Sequence, residues 1–312
     1  MRRPLLTGLA LGVAVAPRET LAHAVGAGRP NDLWSAWTFD PLVWAGLGAA
    51  VLLYGVGLGR IWRRAGIGRR TPFMRASSFA GGVLCLFLAL VWPLDALGED
   101  LFAAHMAQHM LLIAAASPLL VLGDPLLPFL RALPQSWRVG MTRWSRIGWW
   151  RATWKRMGTP MAAALIHGIA VWVWHAPPAF EAALLEPWIH RVEHASFLFT
   201  ALLFWWALAR SGRHPALGYG AGFFAVFATA LHSGLLGALI TFAPAVLYPT
   251  YEGRTEPWGL TPLADQQLAG LIMWVPGGIV YLIAGLAQVV AWLNAVERRV
   301  RRRESGSGWS AG

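Results

Sequence analysis

Seven long apolar stretches, separated by short charged segments, constrain this chain more than any other feature of it. Their approximate limits are residues 41–61, 76–97, 101–122, 160–179, 188–209, 217–245 and 263–295. A helix of about 20 residues is long enough to cross the hydrocarbon core of a bilayer. Within hydrocarbon every backbone amide must be satisfied inside the chain, so single apolar spans are helices. The expected fold is therefore an all-α integral membrane protein with seven transmembrane helices. Composition agrees, since 56% of the residues are hydrophobic and only 13% are charged, which soluble domains of this length do not show.

The basic residues set the expected orientation. Arg60, Arg63, Arg64, Arg69, Arg70 and Arg75 lie between the first two stretches. A second group from Arg131 to Arg156, with Lys155, lies between the third and fourth. Arg210 and Arg213 follow the fifth, and a run from Arg298 to Arg303 follows the seventh. All these segments fall on one side, the cytoplasmic one. The opposite loops carry Asp95, Glu99, Asp100, Glu181, Glu186, Glu252 and Glu256. The N-terminus is thus expected outside and the C-terminus in the cytoplasm.

Residues 1–24 have the pattern of a signal peptide or N-terminal anchor: Arg2 and Arg3, a short apolar run, then Ala22-His23-Ala24. Residues 25–40 form an extracytoplasmic N-terminal segment, 41–295 the membrane domain, and 296–312 a basic cytoplasmic tail, expected to be disordered after Val300. Within 135–157, Trp137, Met141, Trp144, Ile147, Trp150 and Trp154 recur at helical spacing among arginines, which predicts an interfacial basic amphipathic helix. The net charge of +11 is confined to such segments, so its partner is anionic lipid and not nucleic acid. Cys85 is the single cysteine, which excludes disulfide frameworks and paired-cysteine metal motifs. Lys155 is the single lysine and lies in a loop, which excludes a retinal Schiff base within the helices.

Chemistry concentrates at the outer ends of the spans. HMAQHM places His105 and His109 in the first turns of the third stretch, and HRVEH places His190 and His194 in the first turns of the fifth. Residues four apart share a helix face. WHAPP brings His175 to the outer end of the fourth stretch, and the seventh opens with Asp265, Gln266 and Gln267. Polar groups are costly inside a bilayer, so five histidines at one depth point to a metal or redox site. Imidazole suits zinc, copper, iron and nickel, and thioether favours Cu(I). Met106 and Met110 flank the His105–His109 face, and Met273 lies about two turns past Asp265, so copper is the better match. Glu193 either orients an imidazole by accepting its N–H, pairs with Arg191, or faces water. Asp265 either ligates or caps the seventh helix. His167 and His232 fall near mid-membrane, where they either bond across helices or form a step for copper or protons moving inward. Pro118, Pro177, Pro178 and Pro276 are expected to kink or end their helices.

The blocks HMAQHMLLIAAASPLLVLGDP, VWVWHAPPAFEAALLEPWIHRVEHASFLFTALLFWW and DQQLAGLIMWVPGG resemble, in that order, the CtaG family of assembly factors for caa(3)-type cytochrome c oxidase. The resemblance covers roughly residues 100–295; before residue 95 only the hydrophobicity is similar. It implies a bacterial plasma-membrane protein that serves oxidase assembly, with oxidase subunits as partners and copper for the binuclear centre as cargo. It also implies that His105, His109, His175, His190, His194 and Asp265 are among the family's shared polar positions. Ser117, Ala176 and Phe180 depart from its pattern, none at an expected ligand. The expectation is a copper carrier and not an enzyme. Two alternatives stand beside it: a haem-binding electron carrier with His109 and His194 as axial ligands, and a seven-span zinc hydrolase using Asp265 or Glu193 as acid–base.

Overall fold

The computed structural model describes residues 30–211 and 218–307. The signal-like segment 1–24 and residues 308–312 lie outside them. All regular structure among the described residues is helical. Helix α1 (Pro41–Ala65) starts cleanly because Asp40 accepts from the Leu42 amide and Pro41 occupies the first helical position. Helices α2 (Phe73–Leu90) and α3 (Leu94–Asp100) meet at Pro93. Helix α4 (Phe102–Met110) runs through a π-helical stretch, Leu111–Ala116, into α5 (Ser117–Leu122). Then come α6 (Leu126–Ala132), α7 (Gln135–Trp144), α8 (Gly148–Met157), α9 (Pro160–Trp174), α10 (Pro177–Leu185), α11 (Pro187–Arg210), α12 (Gly218–Thr241) and α13 (Pro262–Ser307).

Six helical runs are long and apolar enough to cross a membrane: Pro41–Ala65, Phe73–Asp100, Phe102–Leu122, Pro187–Arg210, Gly218–Thr241 and Pro262–Arg302. The stretch expected at 160–179 is shorter than the sequence suggests. Its helix ends at Trp174, since Pro177 and Pro178 start a new one, and its 15 residues rise only about 22 Å. It joins α8 through a bend of 77°. Pro160 at the start of α9 holds Thr159 extended and so fixes this break.

Of the six long runs, Phe102–Leu122 and Pro187–Arg210 start at the same end of the bundle, with the shorter α9 running back between them, and cross-contacts identify the two ends. At one end Arg191 on α11 pairs with Asp40 before α1 at 2.6 Å, and Asp265 on α13 accepts from the first amides of α4. There too Tyr251 donates to the Gly98 carbonyl of α3, and Tyr248 to the His175 carbonyl after α9. At the other end Arg60 donates to the carbonyls of Arg131 and Ala132, and Gly158 packs on Trp206 near the close of α11. Helices α12 and α13 make the most extensive pair. They approach so closely at Gly237 and Gly270 that a Cβ on Gly270 would strike the Gly237 carbonyl and the Thr241 hydroxyl. The central core holds Phe102, Met106, Phe197, Phe204 and Tyr281, while Leu52, Leu165, Phe199, Leu231 and Leu282 face outward exposed. Apolar residues directed outward along whole helices suit a lipid surrounding.

The π-helical stretch follows from Pro118. Proline has no amide hydrogen and crowds the turn before it. The Ser117 amide bonds five residues back, to Leu112. In that register the carbonyl that Pro118 leaves without a donor is Ile113's, and the Trp205 indole supplies the missing bond at 2.8 Å. Pro276, by contrast, is carried inside α13 without ending it. The amphipathic segment 135–157 is two helices, not one: Ile147 is extended, and α7 and α8 flank it. The tail also differs from expectation, because α13 continues past Val300 to Ser307.

Candidate metal centre

Helix α4 presents His105 and His109 one turn apart, their rings 4.4 Å from centre to centre. Helix α11 presents His190 and His194 in the same relation, at 4.1 Å. The two faces meet: His105 lies 5.4 Å from His190 and 5.8 Å from His194, and His109 lies 5.2 Å from His194. Glu193 stands between the helices, with one oxygen 3.7 Å from His105 Nε2 and the other 3.7 Å from His109 Nε2. One ligand atom from each of His105, His190, Glu193 and His194 falls within 4.8 Å of all the others.

His105, His109, Glu193 and His194 are buried, and several of their polar atoms are unsatisfied. His105 Nε2, both nitrogens of His109, His194 Nε2 and both oxygens of Glu193 have no hydrogen-bond partner. Leaving such atoms bare inside a protein costs about 1–3 kcal/mol each. Their separations are too long for direct hydrogen bonds. Donors held at about 2.0 Å around a tetrahedral ion stand roughly 3.3 Å apart, so a small inward movement would seat one. Three imidazoles and a carboxylate form a donor set for a first-row transition metal.

The other sequence candidates fall into separate places. His175 lies beside the cluster, 6.0 Å from His109, with Nδ1 on the Val171 carbonyl and Nε2 facing the Met106 sulphur at 3.4 Å. Asp265 is not in the cluster. It caps α4 and not its own helix, accepting from Phe102 and Ala103 at 2.6 and 3.0 Å, while Thr261 caps α13 through the Ala264 amide. His167 lies deeper, bonded to Thr200, in the wall of a cavity of about 20 Å³ shared with His109, Met110, His175 and Met273. His232 packs with Nε2 against Gly168 and outside that cavity.

Sequence reasoning did not find the roof. Tyr248 and Tyr251, from the loop between α12 and α13, close over Phe102 and Phe180, and Phe180 touches the His105 ring at 5.0 Å. Burial pushes both phenols well above their usual range, so they remain donors to the carbonyls of His175 and Gly98. Nothing in a loop sequence marks two tyrosines as a lid. Sideways the cluster is open. His190 and His194 line a groove of about 1320 Å³ between α11 and the α1, α2 and α5 side, largely walled by leucine, valine and phenylalanine.

Membrane-length helices closing around a shared polar pocket make this a multi-pass membrane protein with a candidate metal centre. Residues 52–295 match the family described as cytochrome c oxidase caa3 assembly factor (Caa3_CtaG), and the chain belongs to that family. The match begins well before residue 100 and so includes most of α1 and all of α2, where the sequence offered only hydrophobicity. Among curated proteins the chain is similar to the uncharacterized protein Mb0105 of Mycobacterium bovis, 29% identical over 86% of this chain and 41% of that one. It is also similar to the uncharacterized protein ML1998 of Mycobacterium leprae, 27% identical over 87% of this chain and 41% of that one. The chain thus spans about two fifths of the length of these relatives. No solved structure matches it significantly.

Proposed function

We propose that this protein serves the assembly of a caa3-type cytochrome c oxidase by holding copper at His105, His190, Glu193 and His194 and passing it to an oxidase subunit docked alongside. The family match supports the assembly role. The observation that carries the copper reading is the cluster itself: buried donors from two helices, within 4.8 Å of one another, most of them without hydrogen bonds. Copper is cargo here and not a resident cofactor. His109 backs the cluster, and His190, at the groove, is the ring nearest an incoming partner. Ligand exchange through the groove breaks copper–chain bonds as copper–subunit bonds form and changes no covalent bond of either protein, so the protein is read as a carrier and not as an enzyme.

The same reading gives seven crossings of a bacterial plasma membrane, with the cluster near the outer face. The arginines at the opposite end of the bundle support that orientation. No specific observation favours the other readings. His109 and His194 meet edge to face at 5.2 Å, where a haem macrocycle would have to stand between them. Asp265, one of the two residues considered as a hydrolytic acid–base, has both oxygens on backbone amides.

Metal analysis of the purified protein tests the proposal. The expected result is about one copper at this cluster, lost from a His105→Ala/His194→Ala variant that still folds, with oxidase activity falling in cells that carry the variant. Copper content unchanged by the double substitution would reject the site, and zinc in its place would reject the cargo.

A further inference from the structure

Deeper in the bundle than the cluster, the cavity of about 20 Å³ is walled by His109, Met110, His167, His175 and Met273, with Ile113, Val171, Ser233 and Tyr281 completing it. That is room for one water or one ion. The tautomers of two of its histidines are fixed by their neighbours. His175 Nδ1 bonds the Val171 carbonyl at 2.7 Å, and a carbonyl only accepts, so in the neutral ring the proton is on Nδ1 and the lone pair on Nε2. Thr200 spends its hydroxyl proton on the Ser196 carbonyl at 2.7 Å and therefore accepts from His167 Nδ1 at 3.0 Å. His167 Nε2 likewise carries a lone pair, and it has no partner. A histidine held by an outer hydrogen bond at one nitrogen and bare at the other is arranged as metal ligands are.

The bare Nε2 of His175 does not face a donor. It faces the Met106 sulphur at 3.4 Å, so two lone pairs meet with no proton between them. An ion about 2.0 Å from the nitrogen and about 2.3 Å from the sulphur would close that gap at an angle of roughly 105°. Met110 and Met273 put two thioethers in the cavity wall itself, and Met106, outside that wall, reaches the site through its contact with His175 Nε2. Imidazole with thioether, and no carboxylate, is a soft donor set, unlike the outer cluster with Glu193.

We infer that the protein has a second metal site, selective for Cu(I), built from the Nε2 atoms of His167 and His175 and the sulphurs of Met106 and Met273. His109 joins it to the outer cluster, since its ring both lies 3.7 Å from Glu193 and lines the inner cavity. Cargo held at the outer cluster exchanges through His109 with a softer store behind it. This rests on the copper reading of the outer cluster for the identity of the cargo.

The test is titration of the detergent-solubilised full chain with Cu(I) under reductant, followed by X-ray absorption at the copper edge. Two copper ions per chain are expected, with sulphur scattering at about 2.3 Å. Met106→Leu/Met273→Leu keeps the core volume and should lower the stoichiometry from two to one and remove the sulphur signal. His105→Ala/His194→Ala should keep the sulphur signal. One copper per chain without sulphur scattering overturns the inner site and leaves the outer one standing. No bound copper overturns both. If the methionine variant fails to fold, the presence or absence of sulphur scattering in the wild-type protein decides the matter.

Discussion

At the scale of single residues, Glu193 is the group whose surroundings make sense least without a ligand. It is buried among four imidazoles, and neither oxygen has a hydrogen bond. Its sequence context left three roles open, because Arg191 sits two positions away and offers an obvious partner. The structure gives Arg191 to Asp40 instead, which leaves Glu193 facing the histidines. Two opposed effects are therefore expected of Glu193→Gln. The amide can donate to the bare nitrogens of His105 or His109, so the metal-free protein should gain about 1 kcal/mol and melt a few degrees higher. Loss of the anionic ligand should weaken metal binding at least about tenfold. Melting curves in detergent with and without copper read both effects. A copper-induced rise in melting temperature equal to that of the wild type would show that Glu193 is not a ligand.

Among the helices, much of the site was legible and part of it was not, for reasons that lie in the period of the helix. His105 with His109 and His190 with His194 are four apart, so their shared faces follow from the sequence alone, and the apolar flanks gave their depth. Which helix a side chain reaches across to is not periodic information. Asp265 was read as ligand or cap of its own helix; its carboxylate instead ties α13 to the start of α4, one turn before His105. The π-helical stretch was equally hidden. Pro118 signals a break, but its consequence lies in the preceding turn, where LLIAAA is neutral, and its remedy comes from Trp205 on another helix. The Asp265 tie is testable. Asp265→Ala strips two buried amides of their acceptor and should cost about 2–4 kcal/mol, seen as a lower melting temperature. The fraction that stays folded should keep its copper, and Asp265→Asn should lose less stability than the alanine. Loss of copper without loss of stability would make Asp265 a ligand after all.

For the whole molecule, the cluster supports the proposed number of crossings. The starts of α4 and α11 are held together by His105, His109, His190 and His194. Between them the chain runs down α4 and α5 to the far end, where α6 meets Arg60 of α1. Only α9 can bring it back, although its 15 residues fall short of the hydrocarbon thickness of about 30 Å. The shortfall is tolerable because His175, at its end, lies below the roof of Phe180, Tyr248 and Tyr251 and not at the surface. On the proposed reading, in which α9 crosses, the crossings are odd in number and the two ends of the membrane domain lie on opposite sides. Single cysteines at the exposed positions Asp32, Arg146, Glu252 and Arg301, in a Cys85→Ala background, make this measurable with a membrane-impermeant maleimide on intact cells. Asp32→Cys and Glu252→Cys should label, whereas Arg146→Cys and Arg301→Cys should label only after lysis. The reverse pattern would place the histidines at the cytoplasmic face and remove the route to an oxidase copper centre from outside. Labelling of Asp32→Cys and Arg301→Cys from the same side would mean that α9 does not cross and would overturn the proposed seven crossings.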